Sequence, residues 1–336
     1  MEGVNSSKTA VILFNLGGPD RLEAVKPFLF NLFNDSAIIR APGPIRWLLA
    51  KYISGKRAPI ARDIYARIGG RSPLVPETEA QARALEQRLG DGVRCFIAMR
   101  YWHPFTREAV AAVKAWGADR VVLLPLYPQF STTTTGSSLT EWAAEAGRQG
   151  LILPTRTVCC YPTQPGLVEA MADLVRRGHA EALGKGKPRV LFSAHGLPKK
   201  VIERGDPYQA QVELTAAAVA AATGIEGLDW AICYQSRVGP MEWIGPSTEA
   251  ELERAGRDRV PVVVVPVAFV SEHSETLVEL DIEYRHRAAG LGIPAYVRVP
   301  ALGCHPAFIA ALAEVAGDPD AVKGQACGRL ERGCAC

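Results

Sequence analysis

Short apolar runs bounded by turn residues alternate along the chain with segments of helical periodicity. The helix-like segments include Arg107–Trp116 and Thr248–Ala255. The runs are Val11–Leu16, Arg94–Met99, 119–126 and Thr155–Cys160 in the first half, and Val190–Ser193, Trp230–Tyr234, 258–267 and Ala295–Val299 in the second. Such alternation is typical of a parallel sheet that is covered by helices on both faces.

The runs of the two halves also match in order. The letters Asp-Arg-Val begin the third run of each half, at Asp119 and Asp258, and prolines occupy similar places in both. Internal similarity of this kind favours a duplicated unit. We therefore predict an α/β fold of two similar Rossmann-like domains, each with four parallel strands flanked by helices. The predicted domains are residues 1–152 and 153–315, and a C-terminal extension covers 316–336.

One histidine lies where such a fold places its chemistry. Ligands of parallel sheets bind beyond the carboxyl ends of the strands, and His195 follows an apolar run and precedes Gly196, which permits a sharp turn. Imidazole exchanges protons near neutral pH and also binds metals, although a histidine at a strand end is often structural. Two other enzyme classes lack their motifs. Gly17 and Gly18 are not followed by the third glycine of a dinucleotide fingerprint, and Ser193 is not in the Gly-x-Ser-x-Gly turn of a hydrolase.

Residues 271–283 form an acidic segment after the third run of the second half. It holds five carboxylates and no lysine or arginine, and its apolar residues recur at helical spacing, which predicts an amphipathic α-helix. At roughly 100° per residue, one face carries Glu272, Glu275, Glu279 and Glu283, with Asp281 on the opposite side. The row is either a solvated face or a route for cations or protons, since like charges at this spacing repel. Its position after a strand end, opposite His195, favours the route.

The charge of the chain is concentrated in one place. The 336 residues are 48% hydrophobic and carry a net charge of +3, which is too small to indicate nucleic-acid binding. Residues 36–72, in contrast, contain eight lysines and arginines against one acidic residue, Asp63, together with Trp47, Leu48 and Tyr52. A basic and apolar segment suits an anionic hydrophobic ligand or an anionic membrane surface. A helix with a snorkelling basic rim is the structural alternative.

The cysteines and the lack of long apolar runs bear on the cellular compartment. No run approaches the roughly 18 residues of a membrane span, and the N-terminus shows no secretory signal. The eight cysteines then indicate reduced thiols or metal ligands rather than disulfides. We predict a cytoplasmic protein and leave open peripheral contact with the inner membrane.

Seven segments, in unbroken order, closely resemble ferrochelatase. They are Asn15–Pro19, Arg67–Pro73, Arg100–Pro104, Tyr127–Ser138, Ser193–Pro198, Gln235–Pro240 and Ser271–Tyr284. The resemblance extends from about residue 10 to residue 310. It implies insertion of Fe(II) into protoporphyrin IX, the last step of haem synthesis, in a cleft between two similar α/β domains. Protoporphyrin is flat, apolar and dianionic, which matches the character of residues 36–72.

The resemblance also implies roles for individual residues. His195 would face the pyrrole nitrogens, and Glu275 would share the iron site with it. The sequence does not settle whether the histidine takes the proton or the metal, and we predict proton acceptance because a single imidazole opposite several carboxylates divides the two tasks. A route for protons or for the hydrated cation would be lined by Glu272, Glu279 and Glu283. The implied porphyrin contacts are Leu16, Arg57, Tyr65, Ser72, Arg100, Tyr101, Trp243 and Phe269.

Some ferrochelatases carry a [2Fe-2S] cluster with three ligands in a C-terminal extension. The resemblance implies that those ligands are Cys327, Cys334 and Cys336, which are spaced too unevenly for a zinc knuckle. A cluster needs four cysteinyl ligands. The fourth would be Cys159 or Cys160, because Thr132 stands where animal members supply theirs. Free thiols are the alternative.

Three other functions compete with the first. Coproporphyrin carries four propionates and would need more basic partners, and a chelatase for a sirohydrochlorin-type ring would insert cobalt or nickel. A non-catalytic haem or porphyrin carrier would bind its ligand tightly without turnover, and the presence of His195 and Glu275 argues against it. The sequence does not settle the oligomeric state, and a homodimer is left open.

Overall fold

The computed structural model describes residues 7–237 and 241–318. Contacts between residues divide it into two units. Of the described residues, the first unit comprises 7–159 and 312–318, and the second comprises 160–237 and 241–311. Each unit contains its own four-stranded parallel sheet.

The first unit alternates strands and helices. Its strands are β1 (Thr9–Asn15), β2 (Val93–Met99), β3 (Arg120–Pro125) and β4 (Thr155–Thr157). Its helices are α1 (Val25–Phe33), α2 (Gly43–Ala66), α3 (Leu74–Leu89), α4 (Thr106–Trp116) and α5 (Thr135–Gln149), and a short 3₁₀ turn covers Leu22–Ala24. The sheet order is β2-β1-β3-β4. Every residue of β1 is buried, with Ile12 in register with Phe96 and Leu123 on its two neighbours, as expected for a central strand covered on both faces.

The second unit repeats this order. Its strands are β5 (Arg189–His195), β6 (Asp229–Gln235), β7 (Val262–Pro266) and β8 (Tyr296–Arg298), arranged as β6-β5-β7-β8. Its helices are α6 (Pro165–Leu183), α7 (Lys199–Glu203), α8 (Tyr208–Ala222), α9 (Thr248–Asp258) and α10 (Tyr284–Gly290), and a π-helix covers Glu275–Glu283. The last helix, α11 (Pro306–Gly317), begins in this unit. Leu280 and Tyr284 pack with Val262 and Val264 of β7 in one buried cluster, which anchors the π-helix against the sheet.

The predicted α/β fold with two similar four-stranded sheets is confirmed. The four apolar runs of each half form the strands, and the two helix-like segments form α4 and α9. Because β4 pairs with β3, the first sheet extends beyond residue 152, where we predicted the domain boundary. None of the helices within 7–237 and 241–318 has the length and hydropathy that a bilayer crossing requires.

The predicted α-helix over the acidic segment is wrong in type and in extent. Residues Glu275–Glu283 form a π-helix, whose hydrogen bonds join each residue to the fifth before it, and an α-helix continues from Tyr284. Glu272 lies before the first turn and therefore does not belong to a helical row.

Candidate functional site

His195 is the last residue of β5, the central strand of the second sheet. The next residue must be glycine, because a Cβ at Gly196 would lie 2.9 Å from the Gln235 carbonyl oxygen and 3.3 Å from the Trp243 ring. The Trp243 ring therefore lies against the residue that follows the histidine. The strand order reverses between β5 and β7, and the carboxyl ends of strands at such a switch point are where open α/β sheets bind ligands.

Glu275 is the first residue of the π-helix, and it pairs with His195. The two atoms His195 Nδ1 and Glu275 Oε2 are 2.8 Å apart. An ionised carboxylate only accepts hydrogen bonds, so Nδ1 carries the proton and Nε2 is left to face a ligand. The side chains are 39% and 30% exposed, so a ligand can reach both.

The pair shifts the titration of both of its members. Burial alone lowers the pKa of His195, but the charge and hydrogen bond of Glu275, together with the charge of Glu279, outweigh it and raise that pKa above 6.5. Burial likewise raises the pKa of Glu275, but the His195 charge and hydrogen bond bring it well below 4.5. Glu275 therefore stays ionised, and the proton on the imidazole is the one that moves near neutral pH.

A second histidine, His273, contacts the backbone of Glu275. The backbone N–H of Glu275 donates to His273 Nδ1 at 3.0 Å, and the His273 ring packs edge-on against Phe269 at 4.5 Å. Burial lowers the pKa of His273, and the charge of His195 adds to this, while Glu275 and Glu272 oppose it. A neutral His273 thus fixes the start of the π-helix without competing for the charge of Glu275.

Glu279 lies one turn further along the π-helix. It accepts hydrogen bonds from the backbone N–H of Ser236, at 2.8 Å, and from the Ser236 hydroxyl. Ser236 follows β6 and has a φ of 61°, a left-handed conformation that few non-glycine residues adopt. Burial raises the pKa of Glu279, and the charge of Glu275 raises it further. Glu279 is therefore a carboxyl group that can hold a proton next to the His195–Glu275 pair.

The predicted row of four glutamates is not continuous. The Glu272 carboxylate accepts hydrogen bonds from Arg298 Nη1 at 2.6 Å, from the Ala301 N–H at 3.0 Å and from the Thr276 hydroxyl. Asp281, which we predicted on the opposite side from Glu272, contacts the same guanidinium at 3.4 Å. The expected positions of Glu272 and Asp281 were wrong for two reasons. A π-helix rotates by less than the roughly 100° per residue assumed for an α-helix, and Glu272 lies before the π-helix begins.

Glu283 is exposed at the far end of the π-helix. The roles that the resemblance implies for Glu272 and Glu283 in a proton or cation route stay predictions. Glu275 and Glu279 both lie close enough to His195 to affect its charge, whereas Glu272 forms an ion pair with Arg298.

In the first unit, the predicted residue Arg100 is part of a buried network. Its Nη2 is 3.0 Å from Asp35 Oδ2, and its Nε donates to the Ser137 hydroxyl at 2.7 Å. Asp35 also accepts hydrogen bonds from the Tyr101 hydroxyl at 2.8 Å, the Ser137 hydroxyl and the Ala37 N–H at 2.8 Å. Burial alone raises the pKa of Asp35, but Arg100 and these donors lower it below 3.8. Asp35 thus binds both Arg100 and Tyr101, and Glu141 Oε2 lies 3.8 Å from the same Arg100 Nη2.

The other predicted porphyrin contacts differ in exposure. Tyr65 and Tyr101 are buried in one cluster, and Leu16 packs against it. Ser72 is buried against Gly18, where a Cβ would lie 2.4 Å from the serine hydroxyl. Arg57 is exposed on α2, with its guanidinium 6.0 Å from the centre of the Phe33 ring. These residues belong to the first unit, whereas Trp243 and Phe269 belong to the second.

The cysteines depart from the expectation of thiols and ligands alone. Cys159 is buried and disulfide-bonded. Cys160 is buried and lies 3.4 Å from the Gln211 side-chain amide. Burial raises the pKa of Cys95 and Cys233 to about 12, which keeps these thiols protonated.

The three other predicted cluster ligands, Cys327, Cys334 and Cys336, lie outside the described residues. Over the described ranges, no group of three or more histidine, cysteine, aspartate and glutamate side chains is arranged to hold a metal ion.

The network residues that were not predicted as site residues include Asp35, Ser236 and Arg298. Ser236 lies within the segment Gln235–Pro240, whose resemblance was recognised, so its position was available as a signal. Arg298 lies in the fourth apolar run of the second half. The preceding acidic segment, 271–283, contains no lysine or arginine that could balance its charge. For Asp35, nothing in the local sequence indicates burial.

Comparisons with known proteins agree on one family. The family model for ferrochelatase matches residues 8–318. The chain is 55% identical to ferrochelatase from Caulobacter vibrioides over 334 residues, covering 98% of this chain and 94% of the relative. It is 56% identical to ferrochelatase from Phenylobacterium zucineum over 317 residues, covering 92% and 90%. Among solved structures, SirB from Bacillus subtilis with Fe3+ has a similar fold, with a TM-score of 0.56, 12% identity, and coverage of 94% and 98%.

Proposed function

Because the chain belongs to the ferrochelatase family, we propose that it inserts Fe(II) into protoporphyrin IX, releasing two protons and forming haem b. The observation that carries the proposal is the His195–Glu275 pair at the switch point of the second sheet. Metallation requires a base for the pyrrole N–H protons and a polar site through which the hydrated cation can approach. The pair supplies both in one place.

We propose that His195 accepts the proton, and its hydrogen bond to Glu275 supports this role. With Nδ1 bonded to Glu275, the Nε2 lone pair accepts a pyrrole proton, and the carboxylate stabilises the imidazolium that forms. Glu275 also supplies an oxygen ligand, and hard oxygen ligands hold Fe(II) loosely enough to release it to the ring nitrogens. The ring must bend so that its nitrogen lone pairs point at the metal, and the energy for this comes from binding the rest of the porphyrin.

The first test is anaerobic Fe(II) insertion, with protoporphyrin and coproporphyrin compared at equal concentrations. We expect faster insertion into protoporphyrin. Faster insertion into coproporphyrin would favour the alternative substrate, and tight haem binding without turnover would favour the carrier.

The second test is His195→Ala, with His286→Ala as its control because His286 is exposed on α10. We expect His195→Ala to lower the insertion rate by roughly 10²–10⁴-fold, the usual contribution of a general base, with porphyrin binding retained. The control should keep the wild-type rate. Full activity of His195→Ala would refute the proton acceptor.

We also propose that the chain binds a [2Fe-2S] cluster through Cys327, Cys334, Cys336 and one of Cys159 or Cys160. Both candidates for the fourth ligand are buried neighbours in the chain, and Cys159 would have to be reduced first, because only a thiolate binds cluster iron. Such a cluster would stabilise the fold rather than take part in metallation. Cys334→Ser, and one of Cys159→Ser and Cys160→Ser, should abolish visible absorbance of the protein purified anaerobically, whereas Cys304→Ser should retain it. Absorbance that survives in Cys334→Ser would refute the cluster.

A last proposal concerns the membrane. Helix α2 exposes Leu48 and Tyr52 by 61% and 66%, beside Lys51 and Lys56. Apolar side chains flanked by lysines suit the surface of an anionic bilayer. The protein should therefore co-sediment with vesicles containing anionic lipid but not with neutral ones, and Leu48→Ser should weaken this binding. Equal binding to both kinds of vesicle, or to neither, would refute the proposal.

A further inference from the structure

Tyr284 links the acidic π-helix to a second carboxylate near the surface. It is the first residue of α10 and is 5% exposed. Its ring packs among the buried side chains that cover β7, which fixes the position of its hydroxyl group. That oxygen lies 3.1 Å from Glu279 Oε1 and 3.0 Å from Glu249 Oε1.

The Tyr284 hydroxyl has too few protons for its two carboxyl contacts. A phenol has one proton to donate, but the Tyr284 hydroxyl contacts two carboxyl groups. Burial, together with the charges of Glu279 and Glu249, raises the pKa of Tyr284, so the phenol keeps its proton. Both contacts are favourable only when one carboxyl group carries a proton of its own. The raised pKa of Glu279 makes it the proton carrier.

The two carboxyl groups differ in their surroundings. Glu279 lies in the neighbourhood of His195, whose pKa responds to its charge. Glu249 is half-buried in the first turn of α9, where the aligned backbone N–H groups favour a negative charge. A proton therefore has a donor on the side of the site and an acceptor that reaches solvent.

We propose that the Tyr284 hydroxyl relays protons from Glu279 to Glu249, giving the protons of metallation an exit. In one step, the Glu279 carboxyl proton moves to the phenol oxygen while the phenol proton moves to Glu249. Glu249 then releases a proton to solvent, and the hydroxyl rotates back when Glu279 is protonated again. One proton enters and one leaves, and no charge remains on the tyrosine. The relay rests on the proposed function, which supplies the protons.

The test is single-turnover insertion of Fe(II) into protoporphyrin, followed by porphyrin absorbance. Tyr284→Phe removes only the relaying hydroxyl. Glu249→Gln keeps a hydrogen-bond acceptor but cannot take a proton, and it offers a second variant near the surface. The matched control is Tyr296→Phe, because the Tyr296 hydroxyl also touches the π-helix but donates to the backbone carbonyl of Leu280.

We expect Tyr284→Phe and Glu249→Gln each to slow the turnover about tenfold, which is less than the roughly 10²–10⁴-fold contribution of a general acid or base, because water and buffer can partly replace a relay. The double variant should be no slower than the slower single variant, because both remove the same route. Raising the buffer concentration at constant pH should partly restore the rate, which would not follow from structural damage. Tyr296→Phe should keep the wild-type rate.

The outcomes separate the relay from the function on which it rests. A wild-type protein that does not metallate protoporphyrin would refute the proposed function. A wild-type protein that metallates, with Tyr284→Phe and Glu249→Gln within twofold of its rate, would overturn the relay alone. Additive effects of the two substitutions, or slowing that buffer does not relieve, would also overturn it.

Discussion

The two sheets have the same strand order but carry different chemistry at their switch points. Near the first, the buried carboxylate Asp35 is neutralised by Arg100 and held by three further donors. Near the second, Glu275 is paired with His195, and Glu279 has no arginine or lysine among its described partners. Duplicated scaffolds thus support a fixed ion pair in one unit and a mobile proton in the other.

The kind of cation explains the difference. A guanidinium stays protonated at every physiological pH, so the Asp35–Arg100 pair keeps its charge. An imidazole loses its proton near neutral pH, so the charge of the His195–Glu275 pair can change during a reaction. The first network can hold a binding surface in place, whereas the second can accept and pass on protons.

The helices that follow the third strands differ in the same way. In the first unit, α5 is a regular α-helix of 15 residues. In the second, the corresponding segment is a π-helix of nine residues, and π-helical turns are uncommon outside functional sites. The π-helix brings Glu275 and Glu279 to one side while Leu280 stays in the core.

The largest expected effect on stability is at Asp35. Asp35→Asn removes the negative charge beside Arg100 but leaves the guanidinium charged. The Asp35 side chain is 4% exposed and the Arg100 side chain 18%. Breaking a buried ion pair in this way should lower the free energy of unfolding by about 3 kcal/mol. Urea denaturation at neutral pH measures the loss. Asp20→Asn is the control, because Asp20 is 52% exposed. A loss no greater than that of the control would contradict the fixed-pair account.

The pH dependence of the Asp35 contribution sharpens this test. The folded-state pKa of Asp35 lies below its ordinary value of 3.8. Its contribution is therefore fully present above 3.8 and is lost as the pH falls through the lower folded-state pKa. The difference in stability between wild type and Asp35→Asn should be constant between pH 5 and 8 and should shrink in stronger acid.

Glu279→Gln should give a smaller effect with the opposite dependence on pH. The folded-state pKa of Glu279 is raised, so the folded protein binds this proton more tightly than the unfolded chain does. Its contribution is present below 4.5 and declines as the pH rises through the folded-state pKa. Relative to wild type, Glu279→Gln should become more stable from pH 5 to pH 8 in the same urea measurement. If the stability difference between Glu279→Gln and wild type did not change from pH 5 to pH 8, Glu279 would behave like Asp35, and the contrast between the two units would be refuted.

Much of the fold could be predicted from the sequence, because apolar runs and helical periods are local signals. The eight runs formed the strands, and His195 could be located because it ends one of them. The partners of the site were harder to find. Asp35 and Arg100 are 65 residues apart, and Glu249 and Tyr284 are 35 apart, so only the folded chain brings them together.

The acidic segment shows why a correct pattern can give a wrong geometry. Its apolar spacing is compatible with an α-helix, and the choice of a π-helix depends on contacts outside the segment. Arg298 binds both Glu272 and Asp281, and His273 accepts the first N–H of the π-helix. Periodicity placed these residues on opposite sides because it contains no information about a shared partner.

The central claim is that His195 accepts the pyrrole proton and that Glu275 sets its pKa. The most direct measurement is the rate of single-turnover Fe(II) insertion as a function of pH for wild type and Glu275→Gln. Because the pKa of His195 is raised above 6.5, the wild-type rate should rise with pH through a midpoint above that value. Glu275→Gln removes the charge that raises it, so the midpoint should move to lower pH. Identical midpoints in the two proteins would contradict the account.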